Sequence, residues 1–318
     1  MRYGSCDPVT SRKIMKYLIT GATGLVGTSL VHALLDRGVE VNYLTTQVTG
    51  KSRFSKAREF HWDPINGLMD SRALEGVSVV IHLAGASIAK PWTKTYKKEI
   101  LDSRVEGLNV LAQAINEGHF PVVKLVAASA TGIYPSDLEQ VYTEESTAVA
   151  QDFLGEVVQR WEAAADQFNK QGIEVVTCRF GLVFSLSSGS LPAMVAPVRW
   201  GIGSALGDGQ QWQSWIHLGD LTKLLIWCAA EAPSGVYNAV APNPLRQIDL
   251  AHSIARCLHK PFWAPAVPSF VLKLILGERS ALVLSSQRVS ADKVIRAGFI
   301  FDFPEISSAL TDLLGTSR

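Results

Sequence analysis

Gly21-Ala22-Thr23-Gly24-Leu25-Val26-Gly27 sets three glycines at even spacing, directly after the apolar run Tyr17-Leu18-Ile19-Thr20 and at the start of a helical pattern from Leu25 to Arg37. Glycines so placed permit a tight turn, a close approach of backbone to pyrophosphate, and close helix-on-strand packing. The phosphate then meets the free N–H groups and the positive dipole end of the helix. The chemistry implied is dinucleotide binding. A plain glycine turn in an α/β protein is the alternative, and the flanking strand and helix favour the dinucleotide. At the end of the second strand stands Thr45-Thr46-Gln47, with no carboxylate to accept bonds from ribose hydroxyls. An uncharged strand end tolerates a 2′-phosphate, and Lys51 and Arg53 are close enough in sequence to neutralise it. NADP(H) is therefore expected over NAD(H), unless both bases merely belong to a solvated loop.

Elements of alternating type must position these groups. The pattern predicts strands over Val39–Thr45, Val77–Leu83, Val122–Ala128, Val175–Arg179 and Gly235–Asn238. It predicts helices over Trp92–Glu117, Phe153–Gln171 and Asp220–Ala230. Short apolar runs between helices at this spacing argue for an α/β fold with a doubly wound parallel sheet. Residues 185–209 are rich in Gly and Ser, and 242–268 are rich in Pro. These segments are expected to build a small C-terminal substrate lobe over the carboxyl edge of the sheet. The expected division is 15–184 plus 212–240 for the dinucleotide domain and 185–211 plus 241–318 for the lobe. Residues 1–14 are polar and lack a signal-peptide core, so they are expected to be a disordered extension or a mis-called start ahead of Met15.

Composition narrows the partners. Lys plus Arg (30) nearly cancels Asp plus Glu (29), so no long-range field gathers nucleic acid or anionic lipid. No run approaches the ~18 apolar residues of a membrane span. Cys6, Cys178, Cys228 and Cys257 are scattered without a CxxC pair. Free thiols in a reducing, cytoplasmic setting and no metal site are expected.

The chain resembles the extended and atypical short-chain dehydrogenase/reductases, and within them the bacterial "epimerase family protein" group. The resemblance runs from Met15 to about Leu314. It is carried by the glycine turn, Trp62-Asp63-Pro64, Ile81-His82-Leu83-Ala84-Gly85, Ser103-Arg104-Val105, Ser129-Ala130-Thr131, Trp161-Glu162-Ala163-Ala164, Arg179-Phe180-Gly181-Leu182-Val183, Ser214-Trp215-Ile216-His217 and Gln287-Arg288-Val289. It implies a Rossmann fold. It also implies that Leu83, Ala84 and Gly85 lie over the adenosine and inner phosphate, that Glu99 and Arg104 contact the cofactor, and that Val183 lies near the nicotinamide. Core packing for Leu83 and Val183, and an ion pair between Glu99 and Arg104, are the alternatives. Where this group commonly has arginine, the chain has Thr46.

The resemblance also exposes a loss. Typical members use a tyrosine whose proton is loosened by a lysine four residues on, because a free tyrosine titrates near pH ~10. Here those positions are Phe153 and Val157, and no YxxxK occurs anywhere. Ser129, where the superfamily places a substrate-binding hydroxyl, and Tyr134, five residues on, are the candidates for the missing proton. Local turn bonding is the alternative for both. Asp152 is read as the N-cap of the helix from Phe153, and His217 as a structural cap near Asp220. Trp92, Trp200, Trp212 and Trp215 are expected around the lobe junction, where they could wall a sugar- or ring-containing small substrate. The expected function is an NADP(H)-dependent oxidoreductase or nucleotide-sugar epimerase-like enzyme. A dinucleotide-binding sensor without catalysis is the second reading.

Overall fold

The computed structural model describes residues 15–47 and 52–315. The expected extension 1–14, Cys6 and Lys51 lie outside the described residues. Eight strands form the main sheet: β1 (Lys16–Thr20), β2 (Glu40–Thr45), β3 (Arg58–Asp63), β4 (Leu68–Met69), β5 (Val79–His82), β6 (Lys124–Ala130), β7 (Glu174–Phe180) and β8 (Gly235–Ala239). Their order is β8-β7-β6-β5-β1-β2-β3-β4. Neighbours run parallel except β3 and β4. From β1 the chain goes to β2 on one side and later to β5 on the other. A crevice therefore opens at the carboxyl ends of β1 and β5, where the order reverses.

Helices cover both faces, so the central strands read as apolar runs. Helices α1 (Leu25–Asp36), α2 (Lys94–Gly118), α3 (Phe153–Asp166), α4 (Ser190–Arg199), α5 (Leu218–Ala230), α6 (Gln247–Cys257), α7 (Ser269–Leu276) and α8 (Ile306–Leu314) follow in chain order. On one face Leu30, Val31 and Leu34 of α1 share a core with Leu221, Leu224 and Leu225 of α5. On the other, Leu108, Leu111 and Ile115 of α2 share a core with Trp161 and Ala165 of α3. Thr93 caps α2 by accepting the Tyr96 N–H at 3.1 Å, which starts that helix two residues later than predicted.

A third buried cluster holds Phe184, Leu191, Val195, Trp215, Leu250, Ile254 and Leu310, from segments after β7. Asp220, wholly buried at the start of α5, accepts the N–H groups of Asp302 and Phe303 at 2.8 and 2.9 Å and so anchors the late chain. At the β8 edge, side chains take up outward-facing backbone. Asn238 N–H donates to Glu144 Oε1 at 2.7 Å, and Lys293 Nζ donates to the Val236 carbonyl at 2.7 Å.

Candidate active site: a backbone cradle and a side-chain cleft

The glycine turn sits at the crevice between β1 and β5. Gly21 has φ +66°, and a Cβ there would lie 2.7 Å from the Leu83 carbonyl. A Cβ on Gly27 would lie 2.2 Å from the Gly21 oxygen. These two glycines are steric requirements of the turn's approach to Leu83-Ala84-Gly85 and of helix on strand. Gly24 is different. Its φ is −78°, and a Cβ would meet only the Gly21 oxygen, at 3.3 Å. Nothing in the protein demands a glycine there, so the space before it is room for a ligand. Gly24 is also the N-cap of α1, with no side-chain cap and no acid in the first turn. The helix thus presents unclaimed N–H groups and its positive end to that space.

Thr20 joins the turn to β5. Its Oγ1 accepts the Leu83 and Ala84 N–H groups at 3.1 and 3.2 Å and so gives its proton to His82 Nδ1 at 2.9 Å. Burial, helped by the charge of Arg104, drives the His82 pKa down to about 3, so the imidazole is neutral. Arg104 Nη1 donates to the carbonyls of Ala86 (3.2 Å) and Ile100 (2.9 Å). Its guanidinium lies over Trp161 at 5.0 Å, and a Cβ on Gly85 would sit 3.1 Å from its Cζ. Burial lowers its pKa to about 10. Glu99 is exposed on α2, and no ion pair joins it to Arg104 among the described residues.

Beyond β2, Thr45 is buried and its hydroxyl accepts the Gln47 N–H at 3.2 Å, whereas Thr46 is exposed. Arg53 reaches back over the turn, its Nη1 donating to the Thr23 carbonyl at 3.1 Å. Lys51 lies outside the described residues.

A cavity of about 320 Å³ opens between the ends of β6 and β7, the start of α3, and the segments Trp212–Ser214 and Ala281–Gln287. It brings Arg104, Ser129 and Val183 together. Val157 is part of its wall, and Phe153 packs edge-on to Trp92 at 5.2 Å. Asp152 caps α3 through Gly155 N–H at 2.9 Å, as its sequence context predicts. His217 caps α5 in the same way, its Nδ1 accepting the Gly219 N–H at 3.1 Å. The four tryptophans do not gather. Trp215 is buried against Phe184, Trp200 is 84% exposed, and only Trp212 of the four lines the cavity.

Tyr134 requires correction. It is wholly buried and does not line the cavity. Its hydroxyl accepts from Arg179 Nη1 at 2.9 Å and donates to Asn238 Oδ1 at 2.8 Å. Burial raises its pKa in spite of Arg179, which makes it a poorer acid than a free tyrosine. Ser129, Thr131 and Gly132 line the cavity, and Tyr134, just past the short turn Thr131–Ile133, does not.

Sequence reasoning passed over Glu162 and Arg179. Arg179 grips Glu162 in a fork, Nε to Oε1 and Nη2 to Oε2, both at 2.8 Å, and Ser129 Oγ lies 2.6 Å from Oε1. Burial opposes the Arg179 charge, but the Glu162 carboxylate overrides it and raises the guanidinium pKa. The one available signal was that both residues stand in ordered family motifs. The cavity roof is tied down by Lys97 pairing with Glu278, and by Arg279 Nη1 donating to the Ala89 carbonyl at 2.7 Å.

No helix among the described residues is long and apolar enough to cross a membrane, and no cluster of metal-ligating side chains occurs among them. A family model for the NAD dependent epimerase/dehydratase family matches residues 17–239, and one for a domain of unknown function matches 267–313. An epimerase family protein of Staphylococcus saprophyticus is 39% identical over 302 residues, spanning 94% of this chain and 99% of the relative. Among solved structures, the human epimerase family protein SDR39U1 (isoform 2) with NADPH is 30% identical. It superposes with a TM-score of 0.82 over 94% of this chain and 99% of that one. A nucleoside-diphosphate sugar epimerase from Corynebacterium glutamicum is 31% identical, with a TM-score of 0.75 over 95% of this chain and 58% of that one. With a Rossmann-like sheet and the glycine cradle, this chain belongs to the NAD dependent epimerase/dehydratase family as an atypical short-chain dehydrogenase/reductase.

Proposed function

We propose that the protein is an NADP(H)-dependent oxidoreductase acting on a small molecule, with residues 185–211 and 241–318 serving as its substrate lobe. One observation carries this reading: the open face of Gly24, at an uncapped helix start, stands beside a guanidinium that crosses the same turn. Gly21 to Gly27 would hold the pyrophosphate, and Leu83, Ala84 and Gly85 the adenosine side. Thr45 and Thr46 would leave room for a 2′-phosphate that Arg53 neutralises, and Arg104 and Val183 would flank the nicotinamide end. When bound, the dinucleotide supplies or accepts a hydride there.

The chain's own part is to orient the substrate and to manage the proton. Apolar walls from Leu154, Val157, Trp161 and Phe180 would exclude water, and Ser129 would contact the reacting oxygen. A second pocket of about 320 Å³, lined by Arg104, Ser129 and Val183, supports an enzyme over a sensor. The relatives' printed names, an NADPH complex and a nucleoside-diphosphate sugar epimerase among them, support the cofactor and leave a sugar substrate in play. Fluorescence titration with NADPH and NADH tests the cofactor. NADPH oxidation across a carbonyl panel, and NADP⁺ reduction across an alcohol panel, test the reaction.

A further inference from the structure

We infer that Glu162 is the proton acceptor of this site, acting through Ser129, and that the substrate class so selected is a secondary alcohol. The inference rests on the oxidoreductase reading and names the direction in which the site is built to work.

The direction follows from counting donors. A guanidinium has only donors. Arg179 therefore uses both Glu162 oxygens as acceptors, which marks an ionised carboxylate. Ser129 Oγ, 2.6 Å from Oε1, must then be the donor in that contact. A hydroxyl has one proton, and Ser129 has committed it to Glu162. Ser129 is a lining residue of the cavity, so to any partner there it has only lone pairs left to offer. The far end of the chain of bonds agrees. Asn238 Nδ2 donates to the Ser290 carbonyl at 3.1 Å, which turns its Oδ1 toward Tyr134. Tyr134 donates to that oxygen and accepts from Arg179. Each hydrogen-bond sense from Asn238 to Ser129 is thus dictated by a neighbour.

A carbonyl facing Ser129 would set acceptor against acceptor. An alcohol supplies the missing proton. In the step itself the substrate O–H bond breaks and its proton joins Ser129 Oγ as the serine proton passes to Glu162 Oε1. The electron pair stays on the substrate oxygen, which becomes a carbonyl as the adjacent carbon gives up a hydride to the oxidised dinucleotide. Arg179, Tyr134 and Asn238 hold the carboxylate in place, and Glu162 is a positioning residue because it reaches the substrate only through Ser129.

The test needs no natural substrate. The size-matched pair 1-indanol and 1-indanone is titrated against the full chain, with and without NADP⁺, following the fluorescence of Trp161 and Trp212 in the cavity wall. The expected result is roughly fivefold tighter binding of the alcohol, the worth of about one neutral hydrogen bond. Ser129→Ala, which leaves the Glu162–Arg179 fork intact, removes that preference. Glu162→Gln lowers it as well, and erases any low-pH limb in NADP⁺ reduction by 1-indanol. Equal binding of the pair by the wild type, or a preference that survives Ser129→Ala, overturns the relay while leaving the dinucleotide reading untouched if NADPH still binds. Failure of the wild type to bind NADPH overturns both. Should Glu162→Gln not fold, Ser129→Ala decides alone.

Discussion

The two ends of the cleft are made of different material. The cradle is backbone: glycine Cα atoms, N–H groups and one threonine, all within residues 20–27 and 82–85. The other end is side chain: Ser129 in the cavity lining and, behind it, partly buried Glu162 with buried Arg179, Tyr134 and Asn238, drawn from β6, the turn after it, α3, β7 and β8. A backbone site tolerates many side chains but not a Cβ in the wrong place. A side-chain site tolerates backbone variation but not the loss of a partner. Perturbing each end should therefore fail in a different way.

The largest effect is expected at the side-chain end. Arg179→Met leaves the partly buried Glu162 carboxylate without its partner and should cost about 3 kcal/mol of stability, the low end for a buried pair. The Arg179→Met/Glu162→Met double variant should recover a good part of it, as urea unfolding midpoints would reveal. At the cradle, Gly24→Val should weaken NADPH binding by about 10²-fold or more, the cost of pushing a phosphate from its amides. Its unfolding midpoint should stay close to the wild type, because its Cβ meets only one protein atom, at 3.3 Å. Unfolding in place of lost binding would erase the contrast between the ends.

The third prediction concerns His82, the hinge between them. Its folded pKa of about 3 lies below the ordinary imidazole value, so the unfolded chain binds the proton more readily. The stabilisation is complete above pH ~6.5 and is lost as pH falls toward 3. Stability should drop by about 2–3 kcal/mol between pH 6.5 and 4.5. His82→Asn, whose amide oxygen can take the Thr20 proton in place of Nδ1, should flatten that slope. The smallest effect is expected at Arg53. Arg53→Ala should cut any NADPH-over-NADH preference by roughly tenfold, as for loss of one charge-assisted contact. Equal affinities in the wild type would remove Arg53 from the cofactor reading.

This contrast also explains what was legible in the sequence. The glycine turn, the buried runs of β1, β5 and β6, and the caps at Asp152 and His217 depend on neighbours a few residues away, so local spacing reveals them. β3 (Arg-Glu-Phe-His-Trp-Asp) was missed because it lies near the sheet edge, half exposed, and carries no apolar run. α4 was hidden by Pro197 and by the glycine-rich approach to it. Tyr134 was misplaced because sequence distance from Ser129 says nothing about which side of the strand end a turn faces. Glu162 looked like any helix-surface acid, and only the fold brings Arg179 and Ser129 to it.

The capping of β8 has a consequence for how copies of this chain meet. An open sheet edge is a template on which another chain can add a strand. Here Glu144 and Lys293 already occupy an outward amide and an outward carbonyl of β8, and the opposite edge ends in a strand of only two residues, Leu68–Met69. Strand addition at the first edge must displace a charged side chain from its hydrogen bond, whereas at the second β4 pairs only with Trp62 and Asp63 of β3. The two margins therefore differ: β8 is guarded by Glu144 and Lys293, and a second copy of the sheet would find its easier purchase beside β3.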